Sequence, residues 1–261
     1  MAIIYKTDEE VELIRSSSLL VGKTLAEVAK SIKPGVRTSE LDKIAEQFIC
    51  DHGGKPSFKG YNGFPATLCV SVNSVVVHGI PGDEVLTEGD IVSVDCGVFM
   101  NGFHGDSAYT FEVGPVKPEV SNLLKVTKEC LTKALETAEL GRRLGDVSYA
   151  VQEHAERNGY SVVRELVGHG VGRNLHEAPE VPNFGKRGSG PVLQKGLVIA
   201  IEPMINLGKK GVRTERDGWT IRTLDKMPSA HFEHTVCIKP EGLDVLSTFE
   251  YIEEVLIENS N

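Results

Sequence analysis

From Glu9 to Ile32 the apolar residues Val11, Ile14, Leu19, Leu25, Val28, Ala29 and Ile32 return at roughly helical spacing, and a second such run covers Ser39 to His52 before Gly53-Gly54 ends it. Pro34-Gly35 makes the turn between them. A similar pair follows, Val120 to Glu139 and then Leu144 to Arg157, closed by Asn158-Gly159. Sliding one pair onto the other aligns Gly35 with Gly141, Leu41 with Val147 and Gly53 with Gly159. Each pair leads to a strand-rich segment, and these also match: Gly89-Asp90-Ile91-Val92-Ser93-Val94-Asp95 lies over Gly196-Leu197-Val198-Ile199-Ala200-Ile201-Glu202. The pattern predicts an α+β chain of two pseudo-equivalent halves, with helix pairs covering one side of a largely antiparallel sheet and with Asp95 and Glu202 at corresponding strand ends. Asn183 to Pro191 reads as an exposed loop.

The sharpest local signal is a hairpin. Ile91 to Met100 runs into Asn101-Gly102, and Phe103 to Phe111 returns. A two-residue turn pairs Met100 with Phe103, which sets Asp95 opposite Ala108 and Asp106 opposite Gly97. Opposed residues share a face and side chains alternate along a strand, so Asp95 and Asp106 are diagonal neighbours at about 7–8 Å between backbones. Two carboxylates there can converge on one cation, and the small Gly97 and Ala108 leave room for an ion. The bland alternative for an aspartate is a solvated turn position. It fits poorly at the end of Ile91, Val92 and Val94, where a lone charge is costly to bury.

Composition narrows the class. A chain of 261 residues, 40% apolar, suits a single domain, read here as residues 1–261 in two halves of about 1–115 and 116–261. The net charge of −9 argues against a nucleic-acid surface as the main function. The N-terminal residues lack the basic and apolar regions of a signal peptide, and nothing approaches the run of about 18 apolar residues that a membrane span needs, so a cytoplasmic protein is expected. The five cysteines are scattered and form no CxxC pair, which fits small, buried, reduced thiols.

Other acidic and imidazole groups follow the same logic. Glu202 ends the apolar run Val198 to Ile201, and Glu233 sits in His231 to Ile238, which alternates as a strand should. His169 lies in Val167-Gly168-His169-Gly170-Val171-Gly172, where glycines permit close backbone approach. His176-Glu177 has no second histidine and Pro179 follows, which rules out a zinc-protease helix. His52, His104 and His154 are read as ordinary surface or strand positions and His231 as a packed imidazole, with His234 left open.

Val77-His78-Gly79-Ile80-Pro81, Val94-Asp95-Cys96-Gly97, Gly105-Asp106, the His169 glycine run, Leu175-His176-Glu177, Ile201-Glu202-Pro203 and Glu233-His234-Thr235 form an ordered set that resembles the type I methionine aminopeptidases. That resemblance implies the pseudo-twofold pita-bread fold. It implies five metal ligands, Asp95, Asp106, His169, Glu202 and Glu233, with Asp106 and Glu233 bridging two divalent ions. Four carboxylates and one imidazole make a hard donor set, which favours manganese or ferrous iron, with cobalt as a substitute. The resemblance makes Glu202 the proton shuttle and gives His78 and His176 the substrate backbone and the oxyanion. It places an apolar methionine slot at Phe58, Tyr61, Phe64, Cys69 and Trp219, beside Leu175 where many relatives carry an aromatic residue.

The implied activity is removal of initiator methionine, favoured when the second residue is small, as in this chain's own Met1-Ala2. The implied partners are nascent polypeptide N-termini, with transient ribosome contact; no nucleic acid or membrane is expected, and the protein is expected to be a monomer. Two alternatives differ in what they require. A proline-directed relative shares the five ligands but usually carries an extra N-terminal domain, and a non-catalytic binding relative would have lost ligands that are all present here.

Overall fold

In the computed structural model, which describes residues 2–259, the four expected helices are α1 Asp8–Ala29, α2 Thr38–Asp51, α3 Pro118–Thr137 and α4 Leu144–Arg157. Met1, half of the Met1-Ala2 start, lies outside the described residues. Thr7 caps α1: its hydroxyl accepts from the Glu10 amide, while the Glu10 carboxylate accepts from the Thr7 amide. Pro118 opens α3, where its missing N–H costs no helical bond. A fifth helix, α5 Glu250–Asn259, was not anticipated, and its Ile252 and Val255 join the core.

The helix pairs repeat in conformation as well as in sequence. Gly35 and Gly141 both hold positive φ (93° and 86°), as do Gly53 and Gly159 (76° and 82°). The Gly35 amide donates to Leu86 O and the Leu86 amide to Val36 O, just as Gly141 donates to Leu193 O and Leu193 to Arg142 O. All strand pairings are antiparallel among the described residues. Along Ile91–Met100 the residues Val92, Val94, Cys96 and Val98 face the helices, and with Leu25, Leu41, Ile49, Leu123, Leu131 and Val147 they form one continuous core. Ser93, Asp95 and Gly97 are left on the opposite face.

The hairpin register is as expected, with Met100 paired to Phe103, Asp95 to Ala108 and Gly97 to Asp106. Two expectations need correction. Asp95 lies in the middle of a ten-residue strand, whereas Glu202 follows the last residue of Val198–Ile201; the matched positions are not equivalent strand ends. The run from His231 to Ile238 is also not one strand. Ser229–His231 stops, and His234–Lys239 begins after Phe232 and Glu233, because the Glu233 amide leaves the ladder to donate to Ala108 O of the first half at 2.9 Å. The two halves meet along this seam: the Ser107 hydroxyl donates to Glu233 O (2.6 Å), the Thr235 hydroxyl to Asp106 O (2.8 Å) and the Thr110 hydroxyl to His231 O (2.7 Å). In the Asn183–Pro191 segment the middle is exposed, but Asn183 is buried and Ser189 O accepts from the Gly145 amide at the start of α4.

Candidate metal centre and its cleft

The first hairpin delivers Asp95 and Asp106 to one point, close enough for the two carboxyls to share a hydrogen bond. Gly97, opposite Asp106, does not leave room for an ion as expected. A Cβ there would sit 2.6 Å from the Phe58 ring and 2.8 Å from Ser57, so this glycine makes space for the neighbouring apolar wall.

His169 arrives on the short strand Val167–Gly170. A Cβ on Gly168 would meet Ala200 O at 2.4 Å and one on Gly170 would meet Ala178 O at 2.5 Å, so the glycines let the strand wedge between backbones, as the sequence suggested. Nδ1 of His169 lies 2.9 Å from Gly170 O, which requires a proton on Nδ1 and leaves Nε2 with a lone pair. That lone pair faces Asp106 Oδ2 at 3.8 Å and Glu202 Oε1 at 3.7 Å. Ligand atoms of Asp106, His169 and Glu233 all lie within 4.8 Å of one another.

The chemistry of this cluster tests whether a cation belongs there. Oδ1 of Asp95, Oδ1 of Asp106 and Oε1 of Glu233 are buried with no hydrogen-bond partner. Burial and mutual repulsion push the carboxyls of Asp106, Glu202 and Glu233 well above the ordinary range, and burial, against a hydrogen bond from Asp106, raises Asp95 to about 7. Burial drives His169 down to about 3, so it stands as a neutral ligand. Acceptors facing acceptors at 3.7–3.8 Å, too far for hydrogen bonds and with no counter-charge, are what a divalent ion would satisfy. The residues fit a metal.

His231 was expected to be a packed imidazole. It is buried, yet its Nε2 has no hydrogen-bond partner and lies 3.7 Å from both Glu202 Oε2 and Glu233 Oε2. The available signal was its place two residues before Glu233, matching His104 before Asp106. His234, left open, turns away: it stacks on Phe249 with ring centroids 3.9 Å apart, and its Nδ1 bonds the Ser247 hydroxyl at 2.7 Å. His104 pairs with the Ser57 hydroxyl at 2.9 Å. His154 binds Glu129 at 2.8 Å, and His52 is exposed on its own helix end.

The apolar residues proposed for a slot gather beside the cluster. Phe58, Phe64, Cys69 and Leu175 pack together with Tyr61 and Trp219. Cys69 is paired directly with Asp95 across the ladder, so both point to the same face and the slot adjoins the carboxylates. Cleft and cluster form one cavity of ≈ 770 Å³. His78 enters it from a left-handed backbone position, φ 58°, rare for a residue with a Cβ, and Val70 bonds Gly79 O directly behind it. His176 stands edge-on to His169 at 4.1 Å, and its Nδ1 is 3.0 Å from the Tyr61 hydroxyl. Burial lowers His78 to about 4 and also lowers His176, so both are neutral N–H donors near pH 7.

One anchor was not foreseen. Lys6 and Glu177 form an ion pair at 2.6 Å with side chains only 2% and 4% exposed, and Glu177 also accepts from the Asn174 amide. The pair fixes the turn that carries His176 to the start of the chain. All five cysteines are free, four of them buried, and no helix among the described residues is long and apolar enough to cross a membrane.

Comparison with known proteins gives a consistent picture. The family described as metallopeptidase family M24 matches residues 12–240. The chain is similar to the methionine aminopeptidase of Clostridium perfringens (51% identical, covering 94% of this chain and 98% of that protein). It is similar to methionine aminopeptidase 1 of Bacillus subtilis (51%, covering 94% and 99%). Among solved structures it superposes on the methionine aminopeptidase of Thermotoga maritima with a TM-score of 0.93 at 44% identity, covering 95% of this chain and all of that one.

Proposed function

The chain belongs to metallopeptidase family M24, and on that premise we propose that it removes N-terminal methionine from polypeptides, acting on nascent chains whose second residue is small. It is a hydrolase, an aminopeptidase, with the pseudo-twofold pita-bread fold of its relatives. The proline-directed and non-catalytic alternatives are not favoured by relatives of this identity and coverage. The observation that carries the reading is the pairing of Cys69 with Asp95, which sets an apolar slot against the acidic cluster. A methionine side chain seated there brings the first peptide bond to the carboxylates.

Asp95, Asp106, His169, Glu202 and Glu233 would hold two divalent cations, manganese, ferrous iron or cobalt, matching the hard oxygen-rich donor set. When bound, such ions supply an acidified water and a polarised carbonyl. Glu202, buried and with its carboxyl raised, takes the proton of the attacking water and delivers it to the leaving amine. His78 and His176 donate N–H bonds to the scissile carbonyl oxygen as negative charge gathers on it. The unbranched, polarizable methionine side chain suits the aromatic and thiol-lined slot. Residues 1–261 act as one catalytic domain in two halves, about 1–115 and 116–261. The protein works as a cytoplasmic monomer, in transient contact with the ribosome.

The test is release of methionine from Met-Ala-Ser after metal is stripped and manganese, iron or cobalt restored, with Xaa-Pro peptides as controls. Activity should return with metal, and Glu202→Gln should lower kcat by about 10²–10⁴-fold. Cleavage of the Xaa-Pro controls alone moves the chain to the proline-directed branch, and no cleavage with any metal leaves a binding protein.

A further inference from the structure

No step of the proposed reaction uses His231. Its backbone is held at the seam, where the His231 amide donates to Thr110 Oγ1 at 2.9 Å and its carbonyl accepts from the same hydroxyl at 2.7 Å, while the chain pairs with Met204. From that fixed point the imidazole reaches into the acidic cluster, 1% exposed, with Nε2 unpartnered and 3.7 Å from Glu202 Oε2 and from Glu233 Oε2. The other Glu202 oxygen, Oε1, faces His169 Nε2 at 3.7 Å. Glu202 therefore lies between two imidazoles with opposite capacities. His169 spends its N–H on Gly170 O and presents a lone pair; His231 Nε2 is buried without a partner and can present a donor.

We propose that His231 is a positioning residue: its Nε2–H is aimed from 3.7 Å at Oε2 of Glu202 and at Oε2 of Glu233, and closes to a hydrogen bond on Glu202 when a cation is bound, so that Oε1 of Glu202 stays turned inward as the oxygen that exchanges protons. The inference rests on the metal-centre reading of the same site. A carboxylate on a flexible glutamate arm, placed where its strand has ended, has no ladder to orient it. A hydrogen bond from a rigidly held imidazole supplies that orientation, as groups behind metal-binding carboxylates do generally.

The test compares wild type with His231→Ala, His231→Phe and His231→Gln, reading Mn(II) affinity by calorimetry, the number of imidazole nitrogens coupled to bound Mn(II) by pulsed EPR, and kcat and KM for Met-Ala-Ser. His231→Phe fills the volume without a donor and His231→Gln restores an N–H, while melting temperature separates lost folding from lost positioning. The expected result is a kcat lowered by about 10–100-fold in the Ala and Phe variants with KM little changed, substantial recovery in the Gln variant, and one coupled imidazole throughout. The proposal is overturned if His231→Phe matches wild type, if His231→Gln is no better than His231→Ala, or if His231→Ala loses an imidazole coupling, which would make His231 a ligand. A wild-type protein that binds no Mn(II) sinks the metal-centre reading first and this proposal with it.

Discussion

The two halves bring acids to the same place by different means. In the first, an unbroken ladder from Ile91–Glu112 to Met100–Phe103 carries Asp95 and Asp106 at fixed register, and short side chains suffice because the backbone does the aiming. In the second, both strands are interrupted where the acids emerge, at Glu202-Pro203 and at Phe232-Glu233. Pro203 has no N–H to give a ladder, and the acids there are glutamates, one methylene longer. The anchors differ too. Against the first hairpin α1 lies so close that a Cβ on Gly105 would sit 2.4 Å from the Ser18 amide, and the Ser17 hydroxyl donates to Phe103 O. The second half ties its His176 turn to the chain with a buried ion pair. Where register does not aim a side chain, other groups must hold it, which is why the unforeseen polar contacts gather in the second half.

Cutting the ion pair should break this contrast most severely. In Lys6→Ala the Glu177 carboxylate stays buried without its partner, and the expected loss is about 3–5 kcal/mol in urea unfolding. An effect below about 1 kcal/mol, the scale of an exposed pair, would show that the turn is held by packing, as the first half is.

Cation affinity should sharpen the same contrast through pH. Before a cation binds, Asp95 keeps its proton to about 7 and burial with mutual repulsion pushes the other three carboxyls well above their ordinary range, while His169, lowered to about 3, is already neutral. A cation must therefore displace protons from carboxyls, so affinity falls as pH falls, by about tenfold per unit for each proton released. Calorimetric titration of Mn(II) between pH 5 and 7.5, in buffers of different ionisation enthalpy, counts those protons. A pH-independent affinity would mean that the carboxylates are ionised without the metal.

These expectations also mark what the sequence made legible. Asn101-Gly102 and period-two alternation were enough to give the whole first register, because a two-residue turn permits one pairing. The second half resisted the same reading because its break is made from outside: the Glu233 amide is captured by Ala108, a residue of the other half. His231 shares a face with Glu233 in a continuous strand, but a lone histidine in an apolar run is more readily read as packing, and only the orphaned Nε2 says otherwise. Lys6 and Glu177, far apart in the chain, leave no local trace. The slot residues came from resemblance, since Phe58, Tyr61 and Trp219 converge through loops that periodicity does not describe.

Glycine replacement distinguishes the halves by what each approach meets. In Gly168→Ala the new Cβ meets the Ala200 carbonyl at 2.4 Å, backbone that cannot swing away, so a loss of about 1–3 kcal/mol with reduced Mn(II) affinity is expected. In Gly97→Ala it meets the Phe58 ring at 2.6 Å and Ser57 Cβ at 2.8 Å, side-chain atoms and no carbonyl; the ring can turn and the loop carrying Ser57 must give slightly, so stability should suffer less while KM for Met-Ala-Ser rises. Equal stability losses would remove the distinction between a wedge of backbones and a wall of side chains.

The smallest effect belongs to the seam. The Ser107 hydroxyl donates to Glu233 O at 2.6 Å, both buried, at the residue where the second strand leaves its ladder. Ser107→Ala removes one donor and leaves that carbonyl short of a partner, but the Glu233 amide still holds Ala108 O, so the acid should keep its place and stability should fall by about 1 kcal/mol. The informative outcome is the ratio of effects: if Ser107→Ala weakens Mn(II) binding more than it lowers the melting temperature would suggest, the hydroxyl aims Glu233 and the first half orients the second. If both change together and slightly, the amide bond to Ala108 does that work, and the break in the strand is held in register by backbone alone.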